Sequence, residues 1–454
     1  MAKLQIIDIW LFINKKEDSA MKRQAMQKLK SWKTSSLRKP LIIHGARQVG
    51  KTWLMREFGK KHFVNTAYIN FENNRRMEEV FQGNFDIKRL ITALQVESGT
   101  QISPETTLII FDEVQEVPQA LTSLKYFNEN APEYAITAAG SLLGIALHEG
   151  TSFPVGKVAF MDLYPMTFSE FLDATGNENL NTLLQDNEWD LITAFKSRYI
   201  ELLKSYFYVG GMPEAVQSFV TQNNYSSVRE IQLRLLSAYD QDFSKHAPVS
   251  TVPRLRMVWN SIPSQLAKEN RKFLYGSLRK GARAKEFELA IQWLHDCGLI
   301  SQVQRIKKPA LPLNAYSGSG FKMFMLDVGL LAAMSGLDEH SIINGNQIFE
   351  EFKGALTEQY VQQQLRAETT IEPYYWSKER GNAEVDFIFQ YKTNIIPLEV
   401  KAAENLQAKS LKSYCETYSP NYAVRTSMSN YRQEKLLTNL PLYAISQITK
   451  ILSE

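Results

Sequence analysis

Apolar residues change their spacing several times along the chain, and each change marks a predicted element. Leu41-Ile42-Ile43-His44 predicts a short apolar strand, and Trp53–Lys61 beyond the next turn predicts a helix. His62–Glu72 predicts a second strand, and a polar, helix-like region then runs to the neighbourhood of Ser98. In Thr107–Glu113 the four residues Leu108–Phe111 are apolar without alternation, which predicts a strand buried on both faces, as in a parallel sheet. Val117–Asn130 predicts a helix with Pro118 in its first turn, and Tyr134–Ser141 a further strand. Strands and helices in this alternation predict an α/β fold around a parallel sheet.

The pattern then shifts. Phe153–Leu172 mixes short strand and helix signals, and residues 188–250 read as helices interrupted by the Gly-Gly-x-Pro turn of Tyr206–Glu214. Arg254–Ala267 predicts a helix broken at Pro263, and Phe273–Arg279 a short second helix. Arg283–Cys297 predicts a third, with Phe287, Ala290, Ile291 and Leu294 on one face and Gly298 as its cap. Leu299–Ile306 predicts a strand and Pro309–Gly320 a loop, so this stretch predicts a winged helix. From Phe349 the order is helix (to Arg366), strands at 374–376, 383–391 and 395–402, helix at 406–418, and strands at 422–426 and 442–446. The predicted domains are an N-terminal extension (1–20), a nucleotide domain (21–185), a helical segment (186–250), a winged-helix-like domain (251–335) and a C-terminal α/β domain (336–454).

Between the first strand and its helix lies Gly45-Ala46-Arg47-Gln48-Val49-Gly50-Lys51-Thr52, which fits G-x-x-x-x-G-K-[ST]. In strand–loop–helix context, the N–H groups of such a loop and the helix N-terminus converge on phosphate oxygens. Lys51 is expected to reach the β- and γ-phosphates of ATP, and the Thr52 hydroxyl to hold Mg²⁺. Thr107–Phe111 ends in Asp112-Glu113, placing two carboxylates at the C-terminal end of a buried strand, where ligands of open α/β sheets sit. Asp112 is the expected Mg²⁺-side carboxylate and Glu113 the expected general base for the attacking water. Ser141, at the end of the next predicted strand, is placed to sense the γ-phosphate or that water. Lys157 is a candidate for a charge reaching a neighbouring subunit's nucleotide.

The 454 residues carry a formal net charge of +4, too small to name a partner. Two cysteines far apart and no Cys-rich or His-rich spacing point to a reduced, cytoplasmic protein. No apolar run approaches a membrane span; Leu4–Ile13 is short and interrupted by Asp8. Charge is nevertheless unevenly spread. Residues 21–40 hold seven Lys/Arg and no acid, which predicts a solvated basic face on a helix whose other face carries Ala25, Met26, Leu29 and Trp32, with a nucleic-acid contact as the other reading. Residues 251–310 hold twelve Lys/Arg against four Asp/Glu, which favours DNA, duplex or branched, as a partner. Glu286 and Glu288 on the third helix argue against tight base readout, and a lid or protein-contact role is the other reading.

In the C-terminal domain, Glu358 shares a helical stripe with Ala355, Val361 and Leu365. Asp386 lies on one face of its strand, opposite Val385, Phe387 and Phe389, while Glu399 and Lys401 share a face of the next strand. The Asp386…Glu399-Val400-Lys401 spacing with Glu358 resembles the PD-(D/E)xK nuclease fold, the restriction-endonuclease-like class. The resemblance implies Asp386 and Glu399 as Mg²⁺ ligands, with Glu358 and Lys401 completing the catalytic set; a buried salt-bridge cluster, or an inactive fold kept for binding, is the other reading of these four charged groups. Val385 stands where that pattern often has proline.

GARQVGKT, YINFE, LIIFDEVQ, AAGS, PVGKV with LYPMTFSEFL, and YFYVGGMPEAV form an ordered series. It resembles a family of prokaryotic ATPases of the AAA+ superfamily in which the ATPase core precedes a C-terminal domain of unknown function, here matched by KMFMLDVGLL and EVDFIF…LEVK. The resemblance implies a P-loop NTPase core of AAA+-like type, ATP hydrolysis, and a homo-oligomer. The expected function is Mg²⁺-dependent ATP hydrolysis acting on DNA, with a nuclease-like C-terminal domain. The alternative is a nucleotide-dependent signalling or defence switch whose C-terminal domains bind protein partners.

Overall fold

The computed structural model describes residues 21–140, 156–268, 271–343, 350–379, 382–404 and 408–453. They divide into two compact units, one of residues 22–164 with 293–299, the other of residues 165–292 with 300–454. The expected extension over 1–20 and the expected site residue Ser141 lie outside the described residues.

The first unit holds five strands: β1 (Leu41–His44), β2 (Asn65–Asn70), β3 (Thr107–Asp112), β4 (Ala135–Ala139) and β5 (Ala159–Asp162). Their order in the sheet is β2-β3-β4-β1-β5, and every pairing is parallel. Each of the six residues of β3 is buried, as an unbroken apolar run in a parallel sheet requires. On one side of the sheet Phe71, Phe81 and Phe111 meet edge to face in a core shared with Ile42, Ile69 and Leu90. Because β4 lies between β1 and β3, its C-terminal end separates the strand that feeds the glycine loop from the strand that carries the acid pair.

The second unit is built around the helix Glu350–Glu368, in which residues 355–365 are buried without a break. The apolar stripe of Ala355, Val361 and Leu365 is therefore one part of a helix enclosed on all sides. Three of its buried glutamines, Gln359, Gln363 and Gln364, are hydrogen-bonded to backbone, as buried polar groups require. Gln359 donates to the Met325 carbonyl and accepts from the Met325 N–H, Gln363 accepts from Val328 N–H, and Gln364 accepts from Phe168 N–H. An eight-stranded sheet in the order β12-β13-β11-β10-β9-β8-β6-β7 completes this unit. Its members are β6 (Ile300–Ile306), β7 (Ser317–Met325), β8 (Tyr374–Ser377), β9 (Glu384–Tyr391), β10 (Asn394–Val400), β11 (Ala423–Ser427), β12 (Arg432–Gln433) and β13 (Leu437–Pro441). β6 and β7 form an antiparallel hairpin, and β6 pairs in parallel with β8, so the strand expected at Leu299–Ile306 is part of the C-terminal sheet.

Three local expectations differ from the structure. The helix Val252–Leu266 continues through Pro263. It buries Val258, Trp259, Ile262 and Leu266, and that burial outweighs the roughly 3 kcal/mol a mid-helix proline costs. Phe273–Arg279 holds only a 3₁₀ turn at Tyr275–Ser277, so the second helix of a helix-turn-helix is absent there. The expected strand at 442–446 is a 3₁₀ helix, Leu442–Gln447, with Leu442, Tyr443, Ala444 and Ile445 buried. A short buried apolar run does not distinguish strand from helix by its period.

The Gly-Gly-x-Pro turn acquires a role through Asp327, which caps the helix Val328–Met334. Asp327 is fully buried, and its carboxylate accepts from Gly211 N–H at 2.6 Å, Leu330 N–H at 3.0 Å and Gln363 Nε2 at 3.2 Å. A Cβ at Gly211 would stand 2.0 Å from the Met166 carbonyl oxygen, so only glycine fits. Replacing Asp327 by Ala strands these donors and lowers the stability of this unit by about 2–4 kcal/mol in urea denaturation. An unchanged urea midpoint would contradict this account of the turn.

Candidate functional site

The glycine loop leaves β1 and enters the helix Lys51–His62 through three left-handed positions, Gly45 (φ 153°), Gln48 (φ 64°) and Gly50 (φ 93°). At Gly45 a Cβ would lie 2.3 Å from the Leu163 carbonyl oxygen, which excludes any side chain. Gln48 holds a conformation that costs a non-glycine residue about 1 kcal/mol or more. Such turns point successive N–H groups to one side, forming an anion-binding concavity. Arg23, from the basic N-terminal stretch, is buried and donates to the Val49 carbonyl at 2.9 Å, tying the loop down.

Lys51 is buried, and its Nζ donates to the carbonyls of Gly45 and Ala46, both at 2.8 Å. The ammonium thus sits inside its own loop. Burial lowers its pKa to about 8, against the opposing pull of Glu113 and Asp112, and Arg47 lowers it further. The next residue, Thr52, donates its hydroxyl to Asp112 Oδ2 at 2.8 Å. Tyr68 on β2 donates to the same oxygen, also at 2.8 Å, and burial followed by this bond raises its phenol pKa. Glu113 follows in the left-handed region (φ 50°), with Oε2 accepting from Gln115 Nε2 at 2.8 Å. The structure therefore brings Lys51, Thr52, Asp112 and Glu113 together. Lys157 pairs with Glu129 at 2.9 Å within its own unit. A Mg²⁺ ion delivered with nucleotide fits the hydroxyl and carboxylate of Thr52 and Asp112, both oxygen donors suited to a hard cation.

The C-terminal set also converges, with additions. Glu358 is buried and forms an ion pair with Arg271; Lys322 Nζ is 3.4 Å from Glu358 Oε2. Asp386 lies 3.9 Å from Arg271 and 4.0 Å from Lys322, and its Oδ2 accepts from Val400 N–H at 2.8 Å. Glu399 pairs with Lys401 at 2.7 Å, and burial followed by the charge of Asp386 raises its pKa to about 7. Its second oxygen is buried with no hydrogen-bond partner. Glu384, two residues before Asp386, accepts from Lys322 at 2.7 Å, and burial raises its pKa.

Sequence reasoning missed Tyr68, Arg23, Glu384, Lys322 and Arg271. Glu384 had a signal, since i and i+2 share a strand face with Asp386. Lys322 had one too, as a lone lysine in the apolar strand Phe321–Met325. Tyr68, Arg23 and Arg271 act through contacts distant in sequence and carry no local signal.

Residues 37–172 match the family model of an AAA domain, and residues 200–341 and 353–445 match two domains of unknown function, DUF8612 and DUF4143. Uncharacterized protein MJ1544 of Methanocaldococcus jannaschii is 23% identical over 378 residues, 82% of this chain and 77% of that protein. The Walker-type ATPase paby2304 of Pyrococcus abyssi is a similar solved structure at 14% identity and TM-score 0.43, covering 69% of this chain and 96% of that one. The Aeropyrum pernix ORC1 protein in complex with DNA is similar at 12% identity and TM-score 0.26, covering 69% of this chain and 91% of that one. The AAA domain match, the parallel sheet and the glycine loop support an AAA-type P-loop ATPase of α/β class that binds nucleotide. Among the described residues no helix is long and apolar enough to cross a membrane.

Lys51 gives a pH signature. Its pKa in the free protein is about 8, and triphosphate beside the ammonium favours the charged form, so binding must take up a proton where free Lys51 is neutral. Calorimetry of ATP binding in buffers of different ionisation enthalpy is expected to show proton uptake near pH ~8.5 and little near pH ~6.5. Lys51→Met abolishes the difference; equal uptake at both pH values in the wild type would contradict it. In the free protein the folded pKa lies below the unfolded value of 10.5. This residue's contribution to stability therefore rises with pH between the two.

Proposed function

We propose that this chain is a Mg²⁺-dependent ATPase of AAA+ type that acts on DNA. The observation that supports hydrolysis rather than binding alone is the pairing of Thr52 with Asp112 at 2.8 Å, with Glu113 next in the chain at the same strand end. In this reading the loop N–H groups and Lys51 hold the phosphates, and Thr52 and Asp112 hold the metal. Glu113 orients the attacking water and accepts its proton. Bound Mg²⁺ supplies charge neutralisation on the phosphate oxygens. Ser141 is proposed as the residue that senses the γ-phosphate.

The DNA part rests on exposed positive charge. Arg271 is committed to Glu358, Arg305 donates to the Ser377 carbonyl and Arg279 pairs with Glu286. Lys280, Arg283, Lys285, Lys307 and Lys308 remain exposed on the turn, the helix start and the hairpin end. These positions suit phosphate contacts, which position DNA without reading its sequence. Self-association is carried over from the family resemblance. For the C-terminal domain we propose a nuclease-derived fold, because Asp386, Glu399 and Lys401 stand on or at the end of adjacent antiparallel strands beside the helix that carries Glu358. No cleavage step is assigned to it.

Steady-state hydrolysis of Mg-ATP is expected to fall about 10²-fold or more in Lys51→Ala and in Glu113→Gln. Unchanged turnover in the Lys51 variant would remove the ATPase reading. Duplex or branched DNA is expected to stimulate the wild type. Replacing Lys280, Arg283 and Lys285 by Gln should weaken DNA binding and flatten its salt dependence by up to about 0.9 per lost phosphate contact. Hydrolysis indifferent to DNA, with no salt-sensitive binding, would leave an ATPase and remove DNA as its partner.

A further inference from the structure

The carboxylates of the C-terminal site surround a lysine. Lys322 is fully buried, and its Nζ lies 2.7 Å from Glu384, 3.4 Å from Glu358 and 4.0 Å from Asp386. Its ammonium also lies 5.1 Å from the ring centroid of Tyr375, whose face favours a cation. Arg271 is paired with Glu358 and lies 3.9 Å from Asp386. Asp386 then has its other oxygen on the Val400 N–H. Lys401 takes up one oxygen of Glu399, and the other, buried with no hydrogen-bond partner, is a single donor and cannot by itself hold a divalent ion.

The nuclease resemblance implies a divalent metal among these acids, and the residues present do not fit one. A Mg²⁺ ion needs oxygen ligands at about 2.0–2.1 Å in near-octahedral array. Here Lys322 and Arg271 already stand among Glu358, Glu384 and Asp386, with Lys401 on Glu399, and a dication between them would meet repulsion in a site where little water screens it. Among the described residues no group of three or more His, Cys, Asp or Glu is arranged to hold a metal.

The two sets of charges come from different segments. Glu358 belongs to the central helix and Glu384 and Asp386 to β9, whereas Lys322 belongs to β7 and Arg271 to the loop before Phe273. That loop is pinned to β7 by an antiparallel backbone β-bridge between Lys272 and Lys322 and by Phe273 N–H to the Phe321 carbonyl at 2.9 Å. Arg271 is held at φ 46°, a left-handed conformation that an L residue adopts only where its surroundings fix it. Gly354 on the central helix leaves room for the guanidinium: a Cβ there would lie 2.6 Å from an Arg271 nitrogen.

We propose that Lys322 and Arg271 replace the divalent metal in this site. The cluster is then a metal-independent latch that fastens the β6–β7 hairpin and the Arg271 loop to the central helix and β9, and not a phosphodiesterase centre. A buried cation removed from three carboxylates leaves uncompensated charge, so the latch is costly to break from either side.

The test uses the nucleotide-free full chain and Mn²⁺ alone as probe. Mn²⁺ binding followed by electron paramagnetic resonance is expected to be the same in wild type and in Asp386→Asn. About 1 mM Mn²⁺ should shift both melting temperatures equally. Glu399→Gln gives the same comparison from a second position. A Mn²⁺ site present in wild type and lost in either variant would overturn the proposal. Glu384→Gln, which removes the nearest partner of Lys322 while keeping its volume, is expected to lower the melting temperature by several degrees with or without Mn²⁺. A melting temperature unchanged from wild type would overturn the latch.

Discussion

One carboxylate oxygen ties together the first unit's chemistry. Asp112 Oδ2 accepts from Thr52 at the start of the loop helix and from Tyr68 on β2, both at 2.8 Å. A buried carboxylate must be satisfied by donors, and here the donors come from two different elements. The consequence is a loop, a helix start and two strands held in one geometry before any nucleotide arrives. Arg23 adds a further tie by holding the Val49 carbonyl from the N-terminal side. Preorganisation of this kind is what makes electrostatic stabilisation effective, because the donors need not be reoriented when charge develops.

The same constraint, that a buried charge must have partners, separates the two clusters of this chain. Lys51 rests on two neutral carbonyls, at Gly45 and Ala46. A triphosphate offers more negative partners, so the lysine can exchange one set for the other. Lys322 rests among Glu384, Glu358 and Asp386. No incoming phosphate improves on three carboxylates, and no metal can enter without expelling the cation. The first arrangement is suited to ligand exchange, and the second to holding segments together. Burial lowers the Lys51 pKa to about 8, against the pull of Glu113 and Asp112.

Much of the first unit was legible because its signals are local. The glycine loop, the apolar run of β3 and the Asp112-Glu113 pair each lie within a few residues, and their order implied a parallel sheet. The position of β4 between β1 and β3 was not legible, because sheet order is decided by packing between distant segments. Backbone chemistry alone makes Pro263 a helix breaker, and burial of Trp259 and Ile262 on the same helix outweighs it. The carboxylates of the C-terminal set could be found from strand and helix periodicity. Their counter-ions could not, because Arg271 and Lys322 lie 87 and 36 residues from Glu358 and carry no motif. Asp327 shows the same limit: its partners Gly211 and Gln363 become neighbours only in the fold.

In the proposed function, Lys51, Thr52, Asp112 and Glu113 form a hydrolytic site and not a passive nucleotide clamp. The most direct measurement is the identity of the nucleotide retained after the full chain is incubated with Mg-ATP and rapidly desalted. The wild type is expected to retain ADP, and Glu113→Gln to retain ATP, at the same stoichiometry. Wild-type protein that retains unhydrolysed ATP to the same extent as the Glu113 variant would contradict the account.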